Sequence, residues 1–330
     1  MDTLVSYHSK TDEGMEGLMH VARHKWRSSK TAQRGVEELN AQVARHEGRV
    51  QIVNPEGLHP LATRPTLREY ISQLWARRFF ITADARAKAL RTTRDYRLWQ
   101  LWLVLNPLFD VALYGFLFGI LLKTSRGIEN FIGFLFIGII FMSMMTGLMN
   151  SGISLMQSSR SMIRAFQFPR ASIPFSTTLR SMIDNVLPAM VALLAAFLFQ
   201  WGTWPSWTLI LVVPLFVLIH IFGCGLMMIT ARLTAQIPEA KTILGLVSRG
   251  LFFLSGVMFS IDRFAEHSAV HQVMSANPCY IFLTAVRDAS IYRTAPSLAT
   301  WGELVAWSVG AFVLGFIFFW RAEDKYVRLV

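Results

Sequence analysis

Beyond Leu98 the sequence is dominated by apolar blocks, each close to the length that a helix needs to cross a bilayer. A hydrocarbon core about 30 Å thick is crossed by about 20 helical residues. Only 16% of the 330 residues are charged, against roughly 25% in soluble domains. Because a bilayer offers no water to backbone N–H and C=O groups, apolar blocks that cross it form helices. The sequence therefore predicts an all-α integral membrane protein.

Six blocks are predicted to span the membrane, and an even number of spans places both termini on one side. Basic residues gather on that side, between spans two and three, between four and five, and after span six, which by the positive-inside rule is the cytoplasm. Residues Met1 to Glu16 are polar and lack the apolar stretch of a signal peptide. We expect a plasma (inner) membrane protein with both termini in the cytoplasm. The predicted spans are about Trp99–Leu122, Phe131–Leu155, Met182–Phe199, Leu209–Thr230, Ile243–Ser260 and Leu304–Trp320, and the basic residues are Arg160, Arg164, Arg170, Arg180, Arg232, Lys241, Arg321, Lys325 and Arg328.

The formal net charge of +11 follows from this topology. Most basic residues outside the N-terminal part sit at span ends, so the charge does not indicate a nucleic-acid partner. Two cysteines, Cys224 and Cys279, form neither a disulfide framework nor a metal-binding spacing.

Three regions are predicted. Residues 1–65 form a polar cytoplasmic extension, 66–98 an interface helix with a basic linker, and 99–330 the transmembrane domain. Thr66 and Glu69 have the spacing of a capping box at the start of the interface helix. We expect the helix to lie among the membrane lipids, with its apolar face toward the bilayer. Packing on a soluble partner is the alternative. The apolar face comprises Leu67, Tyr70, Ile71, Leu74, Trp75 and Phe79, and the basic residues are Arg68, Arg77 and Arg78.

The stretch from Ile261 to Glu303 differs from the spans. Its apolar run Tyr280–Val286 is too short to cross the membrane. We expect re-entrant helices on the outer side within about 264–293, which would suit a gate; an ordinary helical hairpin is the alternative. The residues assigned to this gate are His271, Asn277, Tyr280 and Arg287.

Catalytic motifs are absent from the sequence. There is no G-x-x-x-x-G-K-[ST] loop for ATP, no H-E-x-x-H and no G-x-S-x-G. His267 and His271 could share a metal ion but lack an evident third ligand, so no metal site is predicted. The chain itself is expected to be neither an enzyme nor a holder of a cofactor.

Ionisable residues at membrane depth point to a polar pathway or to packing pairs between helices. Asp110, Asp184 and Arg249 are these residues. Aromatic side chains are a weak sign of sugar binding. The substrate pathway is assigned to Asp110, Tyr114, Arg249, Phe252, Phe253 and Phe259.

A chain with a pathway and no ATP site must receive force from a partner. The loop from Ser158 to Pro174 carries three arginines and no acid, and guanidinium groups pair well with acidic surfaces. We predict that it forms a short docking helix. The residues assigned to ATPase coupling are Arg160, Arg164, Phe166, Phe168 and Arg170.

Several stretches together resemble the membrane subunits of ABC-2 type exporters, in particular the permeases for polysaccharide, O-antigen and teichoic acid. The resemblance covers about residues 66–330, and Arg68–Lys88 is also similar to actinobacterial galactan exporters. The stretches are Asn106-Pro107, Tyr114–Gly119, the loop Phe168–Pro174, Ser248–Ser260, and Asn277-Pro278 with Arg287.

The resemblance implies a homodimer with two copies of a separate ATPase subunit, which binds ATP and Mg²⁺. It implies an interface helix at about Thr66–Phe80, a coupling helix at about Ser159–Phe168 and outer gate helices within about Phe264–Arg293. A polyprenyl-pyrophosphate-linked glycan would pass through a channel formed by spans one and five. The extension 1–65 departs from typical members.

Two alternatives to glycan export stay open. The same fold could export a drug or a lipid. An intramembrane transferase is a third hypothesis, with Asp110, Asp184 and Asp288 as its candidate acids, although their spacing forms no motif.

Overall fold

A computed structural model describes residues 65–95, 99–121, 128–166, 168–200, 204–260 and 268–329. These ranges consist of helices and short connections and contain no strand. The predicted all-α class is therefore confirmed. The described residues belong to one compact unit, Ala62–Val330. Apart from Pro65, the predicted extension 1–65 lies outside them.

Twelve α-helices are numbered here in chain order within the described residues. A π-helical turn, Gly115–Leu121, continues the helix that ends at Tyr114, and another, Asp288–Tyr292, continues the helix that ends at Arg287. A 3₁₀ turn, Trp207–Leu211, precedes the helix that begins at Val212. The helices are α1 Leu67–Ala76, α2 Arg78–Asp95, α3 Trp99–Tyr114, α4 Phe131–Ser158, α5 Arg160–Ala165, α6 Ser172–Leu198, α7 Val212–Gln236, α8 Ala240–Leu254, α9 Ser268–Ser275, α10 Pro278–Arg287, α11 Leu298–Trp320 and α12 Glu323–Leu329.

In the part of the chain that the structure describes, four helical segments are long and apolar enough to cross a membrane: α4, α6, Trp207–Gln236 and α11. They correspond to predicted spans two, three, four and six, and the chain is a multi-pass membrane protein. Predicted span five is the 15-residue α8, whose length of about 22 Å is shorter than the hydrocarbon core. Predicted span one combines the 16-residue α3 with the 7-residue π-helical turn. The count of six spans stays a prediction.

The start of α6 differs from the prediction. The helix begins at Ser172, ten residues before Met182, because Pro174 lies in its first turn, where the missing N–H breaks no helical hydrogen bond. The prediction that Arg180 lies in a loop is therefore wrong. Arg180 Nε donates to Asp184 Oδ2 at 3.3 Å along the same helix. This pair lies within one helix and joins no two spans.

The core lies around α4, which packs against α6 and α7, while α7 also packs against α11. Helix α4 supplies buried residues at every position from Phe134 to Met142, and again at Met144 and Met145. Helices α7 and α11 approach closely where Gly225 meets Gly315, since a side chain on either would collide with the other helix. Cys224 and Cys279 are free and buried, as is common for cysteines that pack as small apolar side chains.

Two short helices, α9 and α10, occupy the region predicted to form the outer gate. They are 8 and 10 residues long, which is too short to cross a bilayer. Asn277 caps α10, and Pro278 occupies its first turn. His267 lies outside the described residues. Whether these helices are re-entrant stays a prediction.

Candidate functional site

Helix α5 presents a basic surface at the predicted cytoplasmic ends of α4 and α6. The side chains of Arg160 and Arg164 are exposed, and that of Phe166 is 65% exposed. Ile163 on the opposite side of the helix is buried. The short helix is thus amphipathic, with a basic outer surface that suits an acidic partner.

The other two residues assigned to coupling face inward. Phe168 is 5% exposed and lies 6.2 Å from the ring of Phe80. Arg170 pairs with Glu323 of α12, with 3.2 Å between Nη1 and Oε1. Of the residues predicted to dock an ATPase, Arg160, Arg164 and Phe166 are therefore exposed, whereas Phe168 and Arg170 lie inward beneath them.

The predicted interface helix begins with the expected capping box. Thr66 N–H donates to the Glu69 carboxylate at 3.1 Å, and Glu69 N–H donates to the Thr66 hydroxyl at 3.4 Å. This reciprocal pair satisfies two backbone donors that the first helical turn leaves free. A turn at Arg77 separates α1 from α2.

The apolar face of α1 divides into an inner and an outer part. Tyr70 and Leu74 are buried against the protein, whereas Trp75 is 71% exposed. Arg78 lies over the rings of Trp75 and Phe79, at 5.3 and 4.5 Å from their centroids. An exposed aromatic stripe with a guanidinium group is typical of a membrane interface. The outer stripe is Leu67, Ile71, Trp75 and Phe79.

Three separate elements meet at a buried polar network, which we name the Glu323 network. The Tyr70 hydroxyl donates to Glu323 Oε2 at 2.8 Å and accepts from Ala171 N–H at 2.9 Å. The backbone N–H of Arg170 donates to Glu323 Oε1 at 2.9 Å. With the Arg170 side chain, these contacts connect α1, the turn before α6, and α12.

Burial and hydrogen bonding shift the pKa of the Glu323 carboxyl in opposite directions. Its side chain is 2% exposed, and this burial raises its pKa above the ordinary value, while the contacts with Arg170 and Tyr70 oppose the increase. The pKa of the Tyr70 hydroxyl also lies well above its ordinary value, chiefly because of burial and secondly because of the Glu323 charge. Tyr70 therefore remains a neutral donor.

Two residues assigned to the substrate pathway, Tyr114 and Phe252, are in contact between α3 and α8. The rings of Tyr114 and Phe252 lie 5.9 Å apart, and Phe253 lies 5.7 Å from Phe252. Asp110, Arg249 and Phe253 are exposed in this single chain. Tyr114, Phe252 and Phe259 are half-buried against the core. One aromatic contact thus connects the two helices, and each helix also carries an exposed charged residue.

Two residues assigned to the outer gate hold the turn that follows α8. Asn277 Nδ2 donates to the Ser255 hydroxyl at 2.9 Å. Arg287 donates to the carbonyl oxygens of Gly256 and Val257 at 3.0 and 2.9 Å, and to that of Phe134 at 3.3 Å. We name Ser255–Val257 the outer turn. His271 and Tyr280, also assigned to the gate, are half-buried.

The chemistry of a helix C-terminus explains the position of Arg287. Gly256 adopts a φ of 61°, the left-handed conformation common just after a helix end. Carbonyl oxygens there lack helical partners, and a guanidinium group satisfies several at once. The guanidinium also lies 3.3 Å from the ring centroid of Phe134. A side chain at Gly138 would come within 2.5 Å of it, so the glycine keeps this space open.

Glu323 is the main member of the site that the sequence patterns did not indicate. It lies beside Asp324 in a C-terminal stretch whose basic residues predict the cytoplasmic side. The available signal was its place one turn after an apolar span, at the start of a short helix. Among the described residues, no group of three His, Cys, Asp or Glu side chains could hold a metal ion.

Comparison with known proteins identifies the family of this fold. Residues 81–291 match the family described as ABC-2 type transporter. The chain belongs to the ABC-2 type transporter family. The match runs from α2 to the π-helical turn after α10, and thus includes the docking helix, α8 and the outer turn. Tyr70 and Glu323 of this ABC-2 transporter subunit lie outside the matched range.

Two curated relatives of this ABC-2 subunit are export permeases. The chain is 26% identical to the O-antigen export system permease protein RfbA of Myxococcus xanthus over 212 residues, which is 63% of this chain and 79% of the relative. It is 23% identical to the protein of the same name from Klebsiella pneumoniae over 191 residues, which is 57% of this chain and 71% of the relative. The family resemblance predicted from the sequence is confirmed.

Proposed function

We propose that this chain is the membrane permease subunit of an ATP-driven exporter, which moves a polyprenyl-pyrophosphate-linked glycan from the cytoplasm across the plasma membrane. The observation that carries this proposal is the ABC-2 match over residues 81–291, together with similarity to two O-antigen export permeases. The glycan would be of the galactan, O-antigen or teichoic-acid type. Both termini of the chain would lie in the cytoplasm.

A separate ATPase subunit would supply the energy. The sequence has no phosphate-binding loop of its own, and α5 offers exposed Arg160 and Arg164 with Phe166 beside them. Two arginines next to an aromatic ring suit a cleft with an acidic rim and an apolar floor. The partner would bind ATP and Mg²⁺, and force would enter the permease through α5.

A second copy of this chain would complete the pathway. Helices α3 and α8 expose apolar side chains, among them Phe109, Ile243 and Leu246. Arg249 is exposed on the same helix as two of these, and a charged side chain that faces lipid at this depth is costly. Such a residue is better accommodated beside water or beside a partner. These faces therefore support a homodimer with an aqueous pathway along α3 and α8.

The Tyr114 and Phe252 contact supports a route for sugars between these helices. Asp110 lies four residues before Tyr114, and Arg249 lies three residues before Phe252. With six spans, α3 and α8 run in the same direction, so these charges lie at one depth on the cytoplasmic side of the aromatic pair. Aromatic faces bind sugar rings, and Arg249 suits a phosphate group.

Co-purification from the native membrane tests the proposed complex. The tagged chain, solubilised in detergent, is expected to retain an ATP-binding subunit, and the Arg160→Glu and Arg164→Glu double variant is expected to lose it. An Arg321→Glu variant, also exposed at a predicted cytoplasmic end, is the matched control. Retention of the ATPase by the double variant would contradict docking at α5.

Depletion of the chain identifies the cargo. Accumulation of a polyprenyl-pyrophosphate-linked glycan is the expected result. If a drug or a lipid accumulates and no glycan intermediate does, the proposed glycan substrate is wrong. The proposal that the chain is part of an ABC-2 export complex would be unaffected.

A further inference from the structure

Helix α6 starts without a capping side chain of its own. Its N-cap residue is Ala171, which makes no side-chain hydrogen bond. The first turn of a helix leaves several N–H groups without helical acceptors, and a buried N–H left unpaired is destabilising. Here the N–H groups of Ser172 and Ile173 donate locally to the carbonyls of Pro169 and Arg170. The N–H groups just before them, of Ala171 and Arg170, are accepted by Tyr70 and Glu323. Two distant segments thus complete the hydrogen bonds at the start of this predicted span.

The groups that bind the start of α6 suit a helix N-terminus. A carboxylate near a helix N-terminus interacts favourably with the helix dipole, and the Glu323 carboxylate lies at that end of α6. It also pairs with the Arg170 side chain at 3.2 Å. The Tyr70 hydroxyl donates to Glu323 of α12 and accepts from the Ala171 N–H at the start of α6. One hydroxyl therefore bonds to both segments.

An apolar cluster encloses the network and extends to the docking helix. The inward Ile163 of α5 is buried in the same cluster as Tyr70, and so is Phe168. Residues of α11 and α12 complete it. The other buried members around the network include Leu74, Ala171, Ile173, Phe319, Ala322 and Tyr326. A displacement of α5 therefore meets a packed surface rather than a loose loop.

We propose that Tyr70, Glu323 and Arg170 form a joint that transmits motion of the docking helix to the interface helix and to the C-terminal segment after α11. This inference rests on the proposed function for the ATPase that drives α5. Because separating any of the three segments would leave a buried donor or the Glu323 charge unpaired, they move as one body. Tyr70 and Glu323 are positioning residues in this account and touch no substrate.

Weakening the joint should loosen the coupling between ATP hydrolysis and export. A permease with a weakened joint still folds, still docks its ATPase through Arg160 and Arg164, and still allows ATP hydrolysis. It exports less glycan for each ATP hydrolysed, because motion of α5 no longer displaces α1 and α12 together. The ratio of export to hydrolysis is therefore the informative quantity, and it separates the joint from a residue that only supports folding.

Four conservative variants test the joint in the complete complex, reconstituted in lipid vesicles. Tyr70→Phe removes one hydroxyl and Glu323→Gln removes one charge. Tyr326→Phe is the matched control for the first, since it removes another buried hydroxyl of the same cluster, whose partner is the Phe319 carbonyl. Asp324→Asn is the control for the second.

We expect Tyr70→Phe and Glu323→Gln to lower glycan exported per ATP hydrolysed by at least about fivefold, the lower end of common coupling strengths. The two controls should retain the wild-type ratio. A wild-type ratio in Tyr70→Phe would overturn the joint, and so would an equal loss in Tyr326→Phe, because the cluster would then act only through stability. Should Glu323→Gln fail to accumulate, Tyr70→Phe alone decides the outcome.

Hydrogen–deuterium exchange separates this inference from the proposed function. In the chain alone, Tyr70→Phe should speed exchange in peptides that cover Arg170–Ile173 and α12, and Tyr326→Phe should leave the first of these unchanged. Unaltered exchange in both peptides would overturn the joint even if the ATPase binds. Failure of wild-type chain to retain an ATPase would instead overturn the proposed function and leave the network intact.

Discussion

The hydroxyl of Tyr70 donates a hydrogen bond of 2.8 Å to the carboxylate of Glu323, although 253 positions separate the two residues. The contact joins the helix that begins the described chain to the helix that ends it. Between them lies the turn that carries Arg170, whose backbone and side chain both bind the same carboxylate. The predicted cytoplasmic face of this ABC-2 subunit is thus organised around one buried acid.

The pH dependence of stability is the first prediction. Burial raises the pKa of Glu323 above 4.5 in the folded state, so the folded chain binds this proton more tightly than the unfolded chain. The contribution of Glu323 to stability is therefore greatest at low pH and declines as the pH rises through the raised pKa. The hydroxyls of Tyr70 and Tyr326 stay neutral at these pH values because burial raises their pKa values too.

Thermal unfolding in detergent, from about pH 4.5 to 8, tests whether the stability contributed by Glu323 falls as the pH rises. The melting temperature of wild type minus that of Glu323→Gln should fall as the pH rises. The same difference for Asp324→Asn should change little. If the melting temperature of wild type minus that of Glu323→Gln increased with pH, the contacts with Arg170 and Tyr70 would outweigh burial in setting the pKa of Glu323, and the prediction would be wrong.

Two phenylalanines on either side of Gln167 should respond to truncation in opposite ways. Phe168→Ala removes a buried ring and should lower the free energy of unfolding by about 3–5 kcal/mol. Phe166→Ala should change stability by less than about 0.5 kcal/mol, because its ring is exposed. It should instead weaken binding of the ATPase subunit.

Melting temperature and ATPase co-purification, measured on both variants, distinguish these outcomes. If Phe166→Ala destabilised the chain and kept its partner while Phe168→Ala did the reverse, the inward and outward sides of the docking region would be reversed.

Arg287 should keep the outer turn closed. Arg287→Met removes the donors to Gly256, Val257 and Phe134 and leaves three carbonyl oxygens without this partner. We expect a cysteine placed at Val257, which is buried in wild type, to become reactive toward a hydrophilic thiol reagent. Arg287→Lys should also open the turn, since an ammonium group does not reproduce the planar guanidinium contacts.

Arg293→Met provides the control, because that arginine contacts the carbonyl of Trp204 and not the outer turn. The measurement is the labelling rate of Val257→Cys in four backgrounds: wild type, Arg287→Met, Arg287→Lys and Arg293→Met. Equal protection with and without Arg287 would contradict its role at the turn.

The apolar pattern predicted most of the fold but not its finer divisions. The start of α4 at Phe131 and the end of α11 at Trp320 followed from the limits of apolar blocks. The start of α6 could not be predicted, because a proline such as Pro174 is equally compatible with the first turn of a helix and with a loop. Likewise, periodicity identified one apolar face on α1 and could not tell that Tyr70 contacts protein while Trp75 is exposed, since both positions carry aromatic residues.

Sequence spacing could not reveal the Glu323 network. Its members come from segments more than 100 positions apart, at Tyr70, Ala171 and Glu323, and only tertiary packing brings them together. The docking helix was different, since its arginines lie close in the chain and their charge is evident. Local chemistry was therefore predictable, whereas the partner of Arg170 was not.

Water access along α8 is a further prediction. Arg249→Cys should react with a hydrophilic thiol reagent faster than Leu314→Cys, because we place the first beside an aqueous pathway and the second toward lipid. Both wild-type side chains are exposed in the single chain, so the comparison isolates what surrounds them in the membrane. The two native cysteines are buried. Equal or slower labelling at position 249 would contradict the pathway.

Transport by the reconstituted complex tests the central claim most directly. The chain and its ATPase subunit are placed in lipid vesicles with a labelled polyprenyl-pyrophosphate-linked glycan on the ATPase side. The account predicts that the glycan becomes protected inside only when ATP is hydrolysed, and that Arg160→Glu with Arg164→Glu abolishes this transport while the chain stays inserted. Glycan transfer that is independent of ATP, or unchanged by the two substitutions, would contradict it.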